Sequence, residues 1–351
     1  MTTHTAEQMS ERLFTQSVVV MEAASVWLGQ RLGLYAALRE HGPMASAELA
    51  VATSTHPRYV REWLEQQAVA GYLELDGGRF SLPAGHAEAL LDTESLLWAE
   101  PLVRTALSAT LQLPALADAY RAGGGVSWEA FGPDMSRAQG DTNRAVLLHM
   151  LPRRWVPQVL ELQAQLTAGA RVADVACGHG WAAIGLAVEF PAIEVHGYDM
   201  DPVAIQAATA NATAHGVADR VRFHLGEISG PLAHGPFDVV VAVECLHDMP
   251  YPEQVLSAVR RSCSDDAVVL VIDEAADLEL TTPGDDTQRL LYGFSVLICL
   301  PDSLSHPDSV GTGTVIRPSV VDRYAKAAGF TGATALSVSD TGFWRIYRLG
   351  L

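Results

Sequence analysis

From about residue 166 the chain alternates between short apolar runs and stretches of helical spacing. The runs at Arg171–Ala176, Glu194–Tyr198, Val221–Leu225, Asp238–Val243 and Ala267–Ile272 predict strands. Ala182–Glu189, Pro202–His215 and Pro252–Ser262 predict helices, the second stopped by Gly216. Strands that alternate with helices imply a parallel sheet covered on both faces, a Rossmann-like doubly wound α/β fold. Beyond a helix ending at Ala328-Gly329, two strand-like runs, Thr334–Ser339 and Phe343–Leu349, are separated only by Asp340-Thr341-Gly342. They should pair as an antiparallel hairpin, so the sheet is expected to close on an antiparallel final strand.

The first ninety residues have a different texture. A helix is predicted at Ala47–Ala52, then a turn, then a second helix opened by Pro57. Tyr72–Leu75 and Arg79–Leu82 flank Asp76-Gly77-Gly78, a strong hairpin signal. Helix-turn-helix plus hairpin is the winged-helix pattern, so residues 1–90 are expected to form an α-helical winged-helix domain. Its six Arg and no Lys face ten Asp or Glu, a net of −4, and phosphate contacts dominate DNA affinity. DNA binding is therefore not expected of it. Residues 91–165 read as a helical connector, interrupted by the loop RAGGGVSWEAFGPDMSRAQGD. Trp98, Trp128, Phe131 and Trp155 in this segment either line a small-molecule pocket or pack as core. Residues 166–351 then form the sheet domain.

Charge narrows the partners. The net charge of −18, from 23 basic and 41 acidic residues, argues against nucleic acid and anionic membrane. Lys326 is the single lysine, so a Walker-type phosphate loop is excluded, and a Schiff base would need this one residue of surface character. The cysteines (Cys177, Cys245, Cys263, Cys299) form no C-x-x-C pair, which argues against a disulfide framework or structural zinc. MTTHTAEQMSERLF lacks the charged-then-apolar order of a signal peptide, and the expected compartment is the cytoplasm.

The stretch VADVACGHGWAAIGLA, residues 172–187, reads as strand, glycine turn and helix start. Gly178, Gly180 and Ala183 also satisfy the dinucleotide pattern, so glycines alone do not choose a ligand. Acids do. Asp174 lies four residues before Gly178, Asp199 ends the second strand 21 residues after it, and Glu227 closes the third. Asp199 stands where a carboxylate accepts from ribose hydroxyls, and Glu227 can accept an exocyclic amine. Met200 and Ile228, which follow these acids, are expected at the same site. A row of carboxylates with nothing arranged for phosphate suits S-adenosylmethionine, whose sulfonium and ammonium are cationic.

On these residues, Val172 to Met249 resembles a class I S-adenosylmethionine-dependent methyltransferase, with DVACGHG, GYDMD and GEIS as its three motifs. Ala176 stands where many members have glycine. The whole chain resembles small-molecule methyltransferases with an N-terminal winged-helix dimerisation domain, the plant-type O-methyltransferases among them. The resemblance implies a homodimer, a small aromatic or enolisable substrate and S-adenosylhomocysteine as product. It further implies that in ECLHDMP His247 is the general base and Asp248 its neighbour. Glu244 and the pair Asp273-Glu274 end the fourth and fifth strands, so they are expected in the same crevice, orienting the base or binding substrate.

Alternatives stay open. Some relatives methylate the carbon beside the ketone of an α-keto acid with a bound metal, for which Glu244, His247, Asp248 and a distant His306 are candidates. Such relatives need a second histidine near ICLP; Ile298 and Cys299 stand there, so no metal is expected. His179, His196, His224 and His306 have no partner at metal-ligand spacing along the chain. His179 lies in the glycine turn, either touching the methionine end of the cofactor or packing the loop. A cofactor-dependent rearrangement without methyl transfer and a cofactor-sensing regulator are the remaining readings.

Overall fold

The computed structural model describes residues 5–228 and 230–351. Residues 1–4 and Ser229, the last residue of the GEIS motif, lie outside the described residues. The chain forms two compact units, one up to Leu107 and one from Ser108 to Leu351, so the expected connector is divided between them.

The first unit contains α1 (Ala6–Arg31), α2 (Leu34–His41), α3 (Ser46–Ala52) and α4 (Pro57–Val69). The hairpin of β1 (Glu74–Asp76) and β2 (Arg79–Ser81) follows, then α5 (Ala84–Leu91). The hairpin is shorter than expected, because Tyr72 and Leu73 give their backbone N–H groups to Gln67 at the end of α4. Leu34, Tyr35, Leu38, Leu49 and Leu64 form the core, and the Trp63 indole donates to the Ser25 carbonyl at 2.9 Å. On α4, Arg58 pairs with Glu62 at 2.5 Å and Arg61 with Glu65 at 2.8 Å. These guanidiniums are neutralised within their own helix.

α6 (Glu100–Thr110) spans the division, and α7 (Leu113–Ala122), α8 (Trp128–Phe131) and α9 (Pro133–Ala145) follow. The expected loop at 121–141 is therefore mostly helical. Pro133 opens α9 at a position where its missing N–H costs nothing, so the proline starts a helix rather than marking a loop. A π-helical stretch, Val146–Trp155, leads into α10 (Leu160–Ala168). Trp155 is buried against Trp344 as core, and Phe131 is buried beside half-buried Trp128.

The sheet is built from β3 (Arg171–Val175), β4 (Glu194–Asp199), β5 (Val221–Leu225), β6 (Phe237–Val243) and β7 (Cys263–Glu274). Between them lie α11 (Trp181–Glu189), α12 (Pro202–Ala214) and α13 (Pro252–Arg261). After β7 come α14 (Asp286–Phe294), a π-helical turn at Ser295–Cys299, α15 (Leu300–Leu304), α16 (Pro318–Ala327), β8 (Gly332–Ala335) and β9 (Trp344–Gly350). The order is β5-β4-β3-β6-β7-β9-β8, parallel up to β7, with β9 antiparallel to both its neighbours. The doubly wound sheet with an antiparallel final strand is thus present. The last connection is longer than three residues, since β8 ends at Ala335 and the chain loops to Trp344.

Both faces of the sheet are covered by buried apolar side chains, which is why its strands read as nearly continuous apolar runs. Helix α11 is apolar on every side because it lies between the sheet and the 146–155 stretch. Gly185 permits that approach, since a Cβ there would meet the Leu147 carbonyl at 2.3 Å. The chain turns left from β3 to β4 and right from β3's other neighbour β6 to β7. A doubly wound sheet opens its ligand crevice at the C-terminal strand ends beside such a reversal.

Candidate active site

The β3–α11 turn is shaped by its backbone. Ala176, Gly178 and Gly180 all have positive φ (54°, 50° and 80°). Gly180 is fixed by packing as well, because a Cβ would lie 2.5 Å from the Phe223 ring. Ala176 adopts the left-handed region at a cost that glycine would avoid, on the order of 1–2 kcal/mol. That accounts physically for the glycine of the resembling family at this place.

Two acids hold the turn. Asp199 Oδ2 accepts from the Gly178 N–H at 2.8 Å, and Oδ1 accepts from the Asp201 N–H at 2.9 Å. Asp174, 1% exposed, accepts from the Ala183 N–H at 3.1 Å inside the first turn of α11. Burial, with the Asp199 charge adding, pushes the Asp174 carboxyl up to about 7, against the opposing Ala183 hydrogen bond. Burial raises Asp199 as well, opposed by its bonds from Asp201 and Gly178. Glu227 and Met200 are exposed beyond the ends of β5 and β4, and Ile228 is half-buried. His179 packs the loop: its Nε2 lies 3.3 Å from Ser136 Oγ, and Asn211 donates to its carbonyl at 3.1 Å.

The second half of the crevice is made of side chains from distant elements. His247 is 4% exposed, in the turn after β6. Its Nδ1 lies 2.5 Å from Asp273 Oδ1, and its backbone N–H donates to Asp273 Oδ2 at 3.2 Å. Nε2 lies 3.0 Å from Asp248 Oδ1, close enough for charge pairing but misaligned for a hydrogen bond. Burial disfavours the charged ring, yet Asp248 and Asp273 outweigh it and hold His247 well above the ordinary imidazole range.

Glu244, just past β6 at φ 50°, is fenced in. Its Oε2 accepts from Asn143, at short range, and from Gln139 at 3.2 Å, both on α9; its Oε1 accepts from the Trp344 indole of β9. Both oxygens are committed to protein donors, the geometry of a group that positions its neighbours. Glu274 Oε2 is buried without a hydrogen-bond partner; burial and the Glu244 charge raise that carboxyl well above its usual range. Asp302, which accepts from the Trp128 N–H at 2.7 Å, is pushed up to about 7 by burial and the Asp248 charge.

The structure thus brings Asp174, Asp199, Glu244, His247, Asp248 and Asp273 to adjacent strand ends. Sequence reasoning missed Gln139, Asn143, Trp344 and Asp302, which come from elements far along the chain. The structure adds two groupings that spacing along the chain does not give. Cys299, read as disfavouring a metal, joins His247 and Asp248 with donor atoms within 4.8 Å of one another, while His306 is not in that group. The π-helical turn at 295–299 aims it there. His196 and His224 are likewise not isolated: with His234 they form a second such group, because β4 and β5 pair side by side.

Comparison with known proteins bears on the domains and the fold. Residues 166–292 match the family described as a methyltransferase domain, and residues 21–92 match the Rv2258c-like winged HTH domain. A probable chloroplastic tocopherol O-methyltransferase of Oryza sativa subsp. japonica is 30% identical over 102 residues, covering 29% of this chain and 28% of that protein. The first curated relatives are matched over only 28%, 24% and 35% of their own length. Solved structures extend the likeness to the whole fold. The mitomycin 7-O-methyltransferase structure gives a TM-score of 0.72 at 20% identity, covering 98% of this chain and 97% of that one. Human N-acetylserotonin methyltransferase in complex with SAM gives 0.70 at 18% identity, covering all (100%) of both chains. Residues 166–292 thus resemble the methyltransferase-domain family, in one chain with a stretch that resembles a winged helix-turn-helix domain.

Proposed function

We propose that the chain is an S-adenosylmethionine-dependent methyltransferase acting on an oxygen of a small aromatic or enolisable metabolite. The observation that carries this reading is the half-buried Asp199 carboxylate tied to the Gly178 N–H. Each Asp199 oxygen accepts one backbone N–H and keeps a lone pair for a ribose hydroxyl. Space over the Gly178 α-carbon is open, and exposed Glu227 has room to accept from an adenine amine. The acid row fits a phosphate-free cationic nucleoside, and relatives of the same fold were crystallised with SAM or SAH. When bound, this cofactor supplies an electrophilic methyl on a cationic sulfur.

The chain's own residues do the rest. Asp273 fixes the His247 ring through Nδ1, which leaves Nε2, 3.0 Å from Asp248 Oδ1, as the nitrogen to take the acceptor proton. Because Asp248 and Asp273 favour the charged ring, His247 must first shed its proton before serving as base. Glu244, held by Gln139, Asn143 and Trp344, keeps α9 and β9 against the strand ends. Exposed apolar side chains along α1, among them Leu13, Phe14 and Met21, support pairing of two copies through the first unit.

A second reading, metal-assisted C-methylation of an α-keto acid, draws support from the His247, Asp248 and Cys299 group. Those three donors suit a late first-row cation. Burial and the Asp248 charge push the Cys299 thiol up to about 12, so ligation would require the metal to displace its proton.

The deciding experiment incubates the protein with methyl-labelled S-adenosylmethionine and a panel of phenols and α-keto acids, with and without chelator. Label on a phenolic oxygen, insensitive to chelation, is expected. Chelator-sensitive label on a keto-acid carbon selects the second reading, and absence of both cofactor binding and label refutes both.

A further inference from the structure

Away from this crevice, three histidines meet on the sheet edge. His196 on β4 is 2% exposed, His224 on β5 is half-buried, and His234 lies on the loop that leads into β6. The His196 and His224 rings stack at 5.2 Å and 12°, and His196 and His234 at 4.7 Å and 14°. His196 Nδ1 lies 2.9 Å from His224 Nε2. One nitrogen from each of the three rings falls within 4.8 Å of the others.

We infer that His196, His224 and His234 form a binding site for a late first-row divalent cation such as Zn²⁺, clasping the β5–β6 loop to the sheet. Three imidazoles are the donor set such ions prefer, whereas Mg²⁺ and Ca²⁺ select oxygen ligands. Zn–N bonds of about 2.0–2.1 Å in tetrahedral geometry place ligand nitrogens roughly 3.3 Å apart, near the His196–His224 separation. The proton now shared between those two nitrogens is the one the metal would displace.

Other features point the same way. His196 Nε2, on the far side of its ring, is buried without a hydrogen-bond partner and lies 3.3 Å from Glu194 Oε1. A carboxylate behind a ligating imidazole orients the ring and raises its basicity. Arg171 and Arg222 also pair with Glu194, at 3.2 and 2.7 Å, so the binding energy must come from neutral nitrogens. His234 is held in place by its backbone. It sits at φ 70°, Arg171 donates to its carbonyl at 3.0 Å, and the Tyr198 hydroxyl donates to the preceding Ala233 carbonyl. A non-glycine residue in the left-handed region costs free energy, and such strain concentrates where a side chain is put to use. The exposed position of His234 leaves the outer face of the site to water, as a fourth ligand.

The test uses the full chain, stripped of metal and carrying Cys299→Ser to weaken the donor group at His247. Calorimetric titration with Zn²⁺ should give one ion per chain, and Mg²⁺ should give no heat. His234→Ala, at an exposed position that leaves the core intact, should weaken Zn²⁺ at least about tenfold, as should His224→Ala. Loading the same protein with Co²⁺ should give visible ligand-field bands without a thiolate charge-transfer band. No Zn²⁺ uptake by the Cys299→Ser chain would mean that the rings are only a stack, and would overturn the inference. Unchanged affinity in both His234→Ala and His224→Ala, with native circular dichroism, would overturn it equally.

Discussion

The two halves of the crevice are built in opposite ways. Around Asp199 and Gly178 the donors are backbone N–H groups of the β3–α11 unit and of the turn after β4, and donors and acids all fall between residues 174 and 201. Around His247 nearly every contact joins side chains from distant elements: Asn143 of α9, Asp273 of β7, Cys299 of the π-helical turn and Trp344 of β9. The first half depends on how a short segment bends. The second depends on the whole unit being packed. Binding of a common cofactor therefore rests on local geometry, while the reacting end can vary with the elements brought to it.

This contrast predicts effects of different size and kind. His247→Ala should lower kcat by roughly 10²–10⁴-fold, the usual range for a lost general base, and leave cofactor affinity nearly unchanged. Steady-state kinetics with separate cofactor titration would check it, and full activity would remove His247 from the chemistry. Asp199→Ala should do the reverse, weakening S-adenosylmethionine by about 1–3 kcal/mol as hydroxyl donors lose a charged acceptor. Equal losses of affinity in both variants would erase the division between the halves. The smallest effect is a shift along the pH axis. Since the carboxylates raise His247 and a base must be neutral, turnover should climb as pH rises through the elevated ring value. Asp248→Asn removes one of those charges, so the climb should move to lower pH in a pH–rate profile. A climb that stays in place would show that another group governs the proton.

Legibility in the sequence followed the same line. β3, β4, β5, β6 and β7 and the helices between them were readable because short apolar runs alternate with helical stretches bounded by turn residues, and their observed limits differ from the expected ones mostly by a residue or two. Asp174, Asp199 and the glycines were readable because the turn that unites them is contiguous. The Glu244 contacts were not, since nothing local in Asn143 or Trp344 indicates a carboxylate 100 residues away. The loop expected at 121–141 turned out helical because Gly132-Pro133 both ends one helix and starts another. His196 and His224 meet through strand pairing, which spacing along one strand does not encode. Cys299 was read by residue type, when its place on a π-helical turn is what aims it at His247.

The Trp344 indole reaching Glu244 has a consequence for biosynthesis. The strand that carries it inserts between β7 and β8 and is translated well after the glycine turn, and one oxygen of the acid takes its hydrogen bond from there. A nascent chain can close the glycine turn while the ribosome is still at work. It cannot complete the reacting end until that indole has emerged and docked.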